Sequence, residues 1–293
     1  MNILVLLQSF ETPADKGSDR YYFFCRKLKQ KGHNVNIITS NIDYKKSKPK
    51  FSNKKQNNSV VIDGIQVDYL NVFTKIRGSF FRRSLFYISF FQKALIVLFK
   101  KKNVDLIYAV STPLSTGFLG VIASKIHKAP LIFEVTDIWP DAAIHTGVLN
   151  NKLIIAALKI FEKVCYKNST KIIALTNGIA KNIKEKINMQ DKVITIPNGV
   201  DQKLFSKSIS REKKESLRES YNFKSKFVCM YLGAHGRYNS LETIIEAANF
   251  LKDDSKYLFV FVGDGDEKIK LIEQRNNLNL KNIIFFDSMP RTA

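Results

Sequence analysis

Short apolar runs alternate with amphipathic segments along most of the chain. Residues 3–7, 35–39, 106–110, 131–135, 171–175 and 193–196 read as buried strands, and helical patterns fill most of the gaps between them. Strand-then-helix alternation of this kind predicts a parallel sheet flanked by helices, because parallel neighbours need crossover connections. Two short runs, 60–62 and 66–70, flank Asp63-Gly64, a dipeptide that favours a tight hairpin. Residues 44–59, rich in Lys, Asn and Ser, have little to bury and read as an exposed loop.

A second α/β unit begins after a polar, charge-dense stretch. The predicted organisation is a first Rossmann-like domain over 1–201, a linker over 202–226 and a second, partial domain over 227–293. The second unit reads strand 227–232, helix 240–251, strand 258–262, helix 266–275 and strand 283–286. Open doubly wound sheets usually carry five or six strands, so this one is expected to be incomplete, with an uncovered edge and an unfinished core.

Composition narrows the class. The 293 residues are 45% hydrophobic, enough for two packed domains. Forty-seven Lys and Arg stand against 26 Asp and Glu, a formal net charge of +21, which favours a phosphate-rich ligand or an anionic membrane by long-range attraction. Much of that excess is dispersed Lys, and no helix-turn-helix, zinc-finger or RNP-like pattern accompanies it, so nucleic acid is not the expected partner. Cys25, Cys165 and Cys229 are widely spaced and have no ligand pattern around them, which argues for a reducing, cytoplasmic setting and against a zinc site. The apolar N-terminus lacks a basic flank and a cleavage site, and the apolar run 84–99 is too short to span a bilayer.

Several loops carry candidate chemistry. Gly17 lies before a helix that follows the first strand, where backbone N–H groups can hold a phosphate, although a lone Gly there also serves as a plain turn. Glu134-Val-Thr-Asp-Ile-Trp-Pro-Asp141 follows a strand and brings acidic side chains and the only Trp to the sheet's carboxyl edge, where open α/β sheets bind ligands. In this motif Asp137 reads either as a group that orients a sugar hydroxyl or as a cap on the next helix. Pro197-Asn-Gly-Val-Asp201 ends another strand in a turn. Gly233-Ala-His-Gly236 and Gly263-Asp-Gly-Asp266 are Gly-rich strand-to-helix loops that let a diphosphate or base lie against backbone, and Arg237 stands where it would pair with that diphosphate. Residues 80–102 form an aromatic-rich helical segment whose basic residues Arg82, Lys93 and Lys100 share a stripe with Ser89. With Arg83, they suit an anionic membrane, while a buried crossover helix shows a similar pattern.

Taken together, Gly17, Lys31-Gly-His-Asn-Val-Asn-Ile-Ile-Thr39, Glu134-Val-Thr-Asp-Ile-Trp-Pro-Asp141, Ile196-Pro-Asn-Gly-Val-Asp201, Gly233-Ala-His-Gly236 and Val262-Gly-Asp-Gly265 resemble the family 4 glycosyltransferases. The likeness is greatest to the bacterial branch that transfers amino sugars in O-antigen and capsule assembly. The resemblance implies a GT-B architecture of two facing Rossmann domains, with acceptor held mainly by the first and nucleotide-sugar donor by the second. No metal or other cofactor is expected. By the motif match Gly17 approaches the donor phosphates, Asp137 lines the reaction centre as the catalytic candidate, and Asn198 and Gly199 form a wall of the cleft. Gly233, His235, Gly236 and Arg237 contact the diphosphate, and Gly263 and Gly265 lie near the nucleotide.

Two departures from the family pattern qualify this. Thr136 stands where many relatives have His, so no His-based role carries over. The family's pair of glutamates late in the second domain has no counterpart, so the chain is expected to be truncated. The expectation is a cytoplasmic enzyme, peripheral on the inner face of the membrane, which moves a sugar from a UDP donor to a lipid-linked glycan, the resemblance to the amino-sugar branch pointing to an acetamido sugar. A remnant or split enzyme completed by a partner chain, and a nucleotide-sugar epimerase of the same fold, are the rival readings.

Overall fold

The computed structural model of the chain describes residues 1–15, 19–43, 48–51, 58–74, 80–199, 206 and 208–289, without the side chains of Phe80 and Phe81. The chain divides into two compact units, Met1–Asn198 and Gly199–Ala293.

In the first unit the elements follow in the order β1 (Asn2–Leu6), α1 (Arg20–Gln30), β2 (Asn34–Ser40), β3 (Asn58–Ile62), β4 (Ile65–Leu70), α2 (Phe80–Leu98) and β5 (Leu106–Val110). They continue with α3 (Leu114–His127), β6 (Leu131–Val135), α4 (Asp141–His145), α5 (Lys152–Asn168), β7 (Lys171–Ala174), α6 (Asn177–Ile187) and β8 (Val193–Thr195). The sheet order is β3-β4-β2-β1-β5-β6-β7-β8, and only β3 runs antiparallel to its neighbour. Asp63 and Gly64 both adopt positive φ, 48° and 76°, so the two-residue connection has the primed geometry that matches strand twist. Strand order reverses between β1 and β5, the switch point where open sheets of this type leave a crevice at their carboxyl ends.

Helix α1 covers one face, burying Tyr22 and Cys25 in a cluster with Ile3, Val5, Val35, Ile37 and Val67. The other face holds residues of α2, α3, α5 and α6 in one larger core. Gly117 and Gly120 let α3 lie close on the sheet. A Cβ on Gly117 would stand 2.5 Å from the Phe133 ring, and one on Gly120 would stand 2.8 Å from the Ala109 Cβ. Phe118 then meets Phe91 of α2 and Phe161 of α5 at ring-centroid distances of 6.2 and 4.4 Å, which ties the three helices together.

In α2, Phe86, Phe90, Ala94 and Leu98 are buried at a spacing of four. This rotation corrects the predicted basic stripe. Lys93 turns inward, its ammonium donating to the Asn71 carbonyl, and Ser89 accepts from the Phe73 amide and donates to the Phe86 carbonyl. The exposed side instead carries Arg82, Arg83, Ile88 and Ile96, with Phe99 and Lys100 just past its end. Among the described residues no helix is long and apolar enough to cross a membrane.

The second unit runs α7 (Arg211–Ser220), β9 (Phe227–Leu232), α8 (Glu242–Phe250), β10 (Tyr257–Val262), α9 (Lys268–Asn277) and β11 (Ile283–Phe286), with parallel strands in the order β11-β10-β9. Helix α7 falls inside the stretch 202–226 that reads as a linker. Its polarity hid it, yet Ser210 caps it by accepting from the Lys213 amide. Arg218 holds the following turn through the carbonyls of Phe223 and Lys226, at 2.8 and 2.5 Å. Phe223 is buried against Leu258, Val260 and Val262, so residues 211–226 pack as part of the second unit. Strand β9 lies at one edge of this sheet, with Phe227, Met230 and Leu232 exposed.

Candidate functional site

In the first unit the carboxyl edge is organised around Glu134, the second-last residue of β6, which has no exposed surface. A carboxylate removed from water to this degree needs compensating donors. Arg20 and Tyr21, at the start of α1, and Tyr108 of β5 supply them. Arg20 Nη1 and the Tyr108 hydroxyl make short contacts to Glu134, and the Tyr21 hydroxyl donates at 3.1 Å. Burial first, and the adjacent Glu134 charge second, push both tyrosine hydroxyls above their ordinary range, so they remain protonated donors.

Beside this cluster, hydroxyls collect at the ends of β5 and β6. Thr112 Oγ1 lies 2.7 Å from Thr136 Oγ1, and the Thr136 amide donates to Ser111 Oγ at 3.0 Å. Thr136 therefore helps join the two strand ends where many family members have His. Asp137 follows and is exposed. It does not cap α4, whose N-cap position is held by Pro140 and which has no side-chain cap. The capping alternative for Asp137 thus fails, and its carboxylate is left at the edge beside the Tyr21–Glu134 group.

Two ion clusters hold the surrounding loops. Lys50 donates to the Phe10 carbonyl at 2.8 Å, Glu11 at 2.9 Å and Asp15 at 3.3 Å. Part of the stretch expected to be an exposed loop therefore pins the segment after β1. Lys186 of α6 bridges Asp141 and Glu162 at 2.7 Å each. This anchors the Trp139–Asp141 end of the acidic motif onto α5 and α6. Burial raises the Glu162 carboxyl above its ordinary value in spite of Lys186.

In the second unit the two Gly-rich loops are joined to each other. The Gly233 amide donates to the Val262 carbonyl at 3.0 Å, the His235 amide to Asp264 at 2.9 Å, and the Glu267 amide to His235 at 3.0 Å. Gly263 and Gly265 permit this approach. A Cβ on Gly263 would collide with the Gly233 carbonyl oxygen, and one on Gly265 would stand 2.6 Å from the His235 carbonyl carbon. Their absent side chains are explained by loop-to-loop contact. Gly236 differs: its φ is negative, and the nearest atom to an added Cβ is Asn239 Nδ2 at 3.8 Å, an ordinary contact. Neither backbone conformation nor internal packing demands Gly there, and the amides of Ala234 and Gly236 donate to no described residue. Arg237 is exposed, with no acidic partner among the described residues.

His235 requires a correction. Its side chain has no exposed surface and packs among Tyr231, Phe261 and Phe285, with both ring nitrogens lacking a hydrogen-bond partner. It supports the loops from beneath, and its imidazole does not reach a ligand lying on them. Burial, then the positive Lys268, lowers its proton affinity below the usual His range. Lys268 itself bridges the two strand ends, donating to the carbonyls of Gly263 and Phe286 and to Asp287. Of the remaining candidates, Gly17 lies outside the described residues. Asn198 and Gly199 are exposed and mark the division between the units. Among the described residues no group of His, Cys, Asp or Glu is placed to hold a metal ion.

Comparison with known proteins places these features in a family. The family described as Glycosyltransferase Family 4 matches residues 20–204. The chain is 29% identical over 194 residues to a UDP-Gal:alpha-D-GlcNAc-diphosphoundecaprenol alpha-1,3-galactosyltransferase of Escherichia coli, covering 64% of the chain and 48% of that protein. The chain thus spans about half the length of this curated relative. In structure it is similar to Anabaena HepE in complex with UDP and glucose, with a TM-score of 0.66 and 17% identity over 99% of this chain and 70% of that one. It is also similar to WaaG, a glycosyltransferase involved in lipopolysaccharide biosynthesis, with a TM-score of 0.66 and 14% identity over 98% and 70% of the two chains. At these identities the structural likeness establishes the fold, which is GT-B.

Proposed function

The chain belongs to Glycosyltransferase Family 4, and from that premise we propose that it transfers a sugar from a nucleotide diphosphate donor to a lipid-linked glycan in bacterial surface-polysaccharide assembly. The observation that carries the donor half is Gly236, a glycine that its own fold does not require, set beside unused amides and an exposed Arg237 at the carboxyl edge of β9. Transfer breaks the bond between the anomeric carbon and the donor diphosphate and joins that carbon to an acceptor oxygen. The acceptor hydroxyl gives up its proton, and negative charge gathers on the departing diphosphate. Backbone N–H groups and a guanidinium fixed beside that charge lower the barrier most, because the charge develops in the transition state. No metal is needed for that role where Arg237 supplies the positive charge. A UDP donor fits the fold's likeness to the UDP complex of HepE. An acetamido sugar remains the donor expected from the motif pattern.

On the acceptor side, the first unit offers Asp137 with the Ser111, Thr112 and Thr136 hydroxyls, suited to holding sugar hydroxyls. The name of the Escherichia coli relative specifies a sugar on a diphosphate lipid, which supports an acceptor of that class here. The exposed Ile88, Ile96 and Phe99 beside Arg82, Arg83 and Lys100 support work at an anionic membrane surface.

The test is calorimetric titration of UDP into the chain and its Arg237→Ala variant, followed by product analysis with a UDP-sugar in the presence and absence of a lipid-linked glycan. Micromolar UDP binding weakened by the substitution, with product formed only when acceptor is present, supports the reading. No binding at millimolar UDP sinks it, and conversion of the UDP-sugar without acceptor points to epimerisation.

A further inference from the structure

Glu134 is costly for a residue in the middle of a parallel sheet. An apolar side chain of similar volume would fill the space without the desolvation penalty of a buried carboxylate. What the carboxylate adds is a guanidinium fixed in one orientation. Arg20 Nη1 is held by Glu134 and lies 3.5 Å from the Tyr21 hydroxyl, and the guanidinium carbon stands 5.2 Å from the Tyr21 ring centre. The Arg20 side chain is still 27% exposed, and its other nitrogens meet no acceptor among the described residues. A planar fork with one side anchored and the other open suits a phosphate oxygen pair better than a sugar hydroxyl. Its position, at the carboxyl ends of β5 and β6 beside the Thr112–Thr136 hydroxyls, is next to the β1/β5 switch point.

We propose that Arg20, oriented by the buried Glu134, binds the diphosphate of a lipid-linked acceptor, while the neighbouring hydroxyls and Asp137 hold the sugar attached to it. The inference rests on the transferase reading and assigns the acceptor's charged group to one side chain of the first unit. Arg20 is then a substrate-binding residue. Glu134 is a positioning residue that acts through it.

A direct binding experiment tests this without turnover. The probe is N-acetylglucosamine carried on a short-chain prenyl diphosphate, titrated into the full chain by calorimetry. The control probe is the same sugar joined to the same prenol without the diphosphate. Arg20→Gln weakens binding of the diphosphate probe by about tenfold or more, the scale of a charge-assisted contact, and leaves the control probe and UDP unchanged. Glu134→Gln, which keeps the side-chain volume and removes the anchoring charge, gives a smaller loss confined to the diphosphate probe.

Because Arg20→Gln leaves Glu134 buried without its cation, the double variant Arg20→Gln/Glu134→Gln is measured alongside to keep the fold intact. It shows the same selective loss. Equal weakening of both probes, an unchanged diphosphate probe, or a wild-type chain that does not bind that probe overturns the proposal. Loss of UDP affinity with Arg20→Gln overturns it as well, because the guanidinium would then belong to the donor phosphates. Failure of the wild-type chain to transfer sugar sinks the transferase reading and leaves this binding result to be judged by itself.

Discussion

Gly263 and Gly233 meet backbone to backbone, so that a Cβ on Gly263 would collide with the Gly233 carbonyl oxygen. The obstruction is main chain in a loop zipped by three hydrogen bonds, and no side chain can rotate aside to relieve it. Gly263→Ala is therefore expected to destabilise the second unit by about 2–4 kcal/mol, the range of overpacking combined with a strained backbone. A urea unfolding series on wild type and variant measures this. A midpoint that does not move would show that the loops are not packed as described.

Gly236→Ala should behave in the opposite way. The added methyl meets only ordinary contacts, so stability is expected to change by less than about 0.5 kcal/mol. The same methyl occupies the space where a diphosphate would lie against the backbone, and UDP affinity is expected to fall by about tenfold or more. Calorimetry on the folded variant separates the two effects. Unchanged UDP affinity would remove the observation on which the donor site rests.

The origin of each residue's role explains how much of it was legible in the sequence. Apolar runs such as Leu106–Val110 and Leu131–Val135 announce strands because burial on both sheet faces demands them. Asp63-Gly64 announces its turn because few residue pairs accept two positive φ values. Helix α7 was hidden by its charge: it buries nothing, and apolar periodicity is the signal a reader follows. The Arg20–Glu134 pair spans 114 positions, and nothing local to either residue names the other. Gly263 and Gly265 were recognisable as special, but the reason was not. A glycine that faces a ligand and one that faces another loop look alike until the fold brings the second loop into place. The inward turn of Lys93 has the same cause, since only the packing of Phe86, Phe90 and Ala94 sets the helix rotation.

His235 provides a pH test. Its folded-state proton affinity is lowered by burial and by Lys268, so the unfolded chain takes up the proton more readily than the folded one. The stabilising difference is fully present above the ordinary His value of 6.5 and is lost as pH falls through the lowered folded value. The thermal stability of the second unit should fall as pH drops below 6.5 in the wild type. His235→Phe should show less of that slope and equal or greater stability at neutral pH, because a ring without orphaned nitrogens fits among Tyr231, Phe261 and Phe285. Identical slopes in the two proteins would place the titration elsewhere.

Lys186 links the acidic motif to the helices behind it through Glu162, whose side chain is 1% exposed, and Asp141. In Lys186→Met the buried carboxylate loses its cation and keeps only the Tyr166 hydroxyl, at 2.9 Å. Breaking one side of a buried pair costs about 3 kcal/mol at neutral pH. The pH dependence identifies the cause. Burial already raises the Glu162 carboxyl above its ordinary value of 4.5 in the folded chain, and without Lys186 that shift grows. The penalty in the variant should therefore be small below pH 4.5, where the carboxyl is neutral in both folded and unfolded chains, and should increase as pH rises through the raised folded value. Asp141 also loses a partner, but it is more exposed and water replaces the ammonium at little cost. Adding Glu162→Gln to Lys186→Met should restore most of the stability at neutral pH and remove the added pH dependence. A double variant as unstable as Lys186→Met alone would show that the lysine acts through its packing and not through the charge of Glu162.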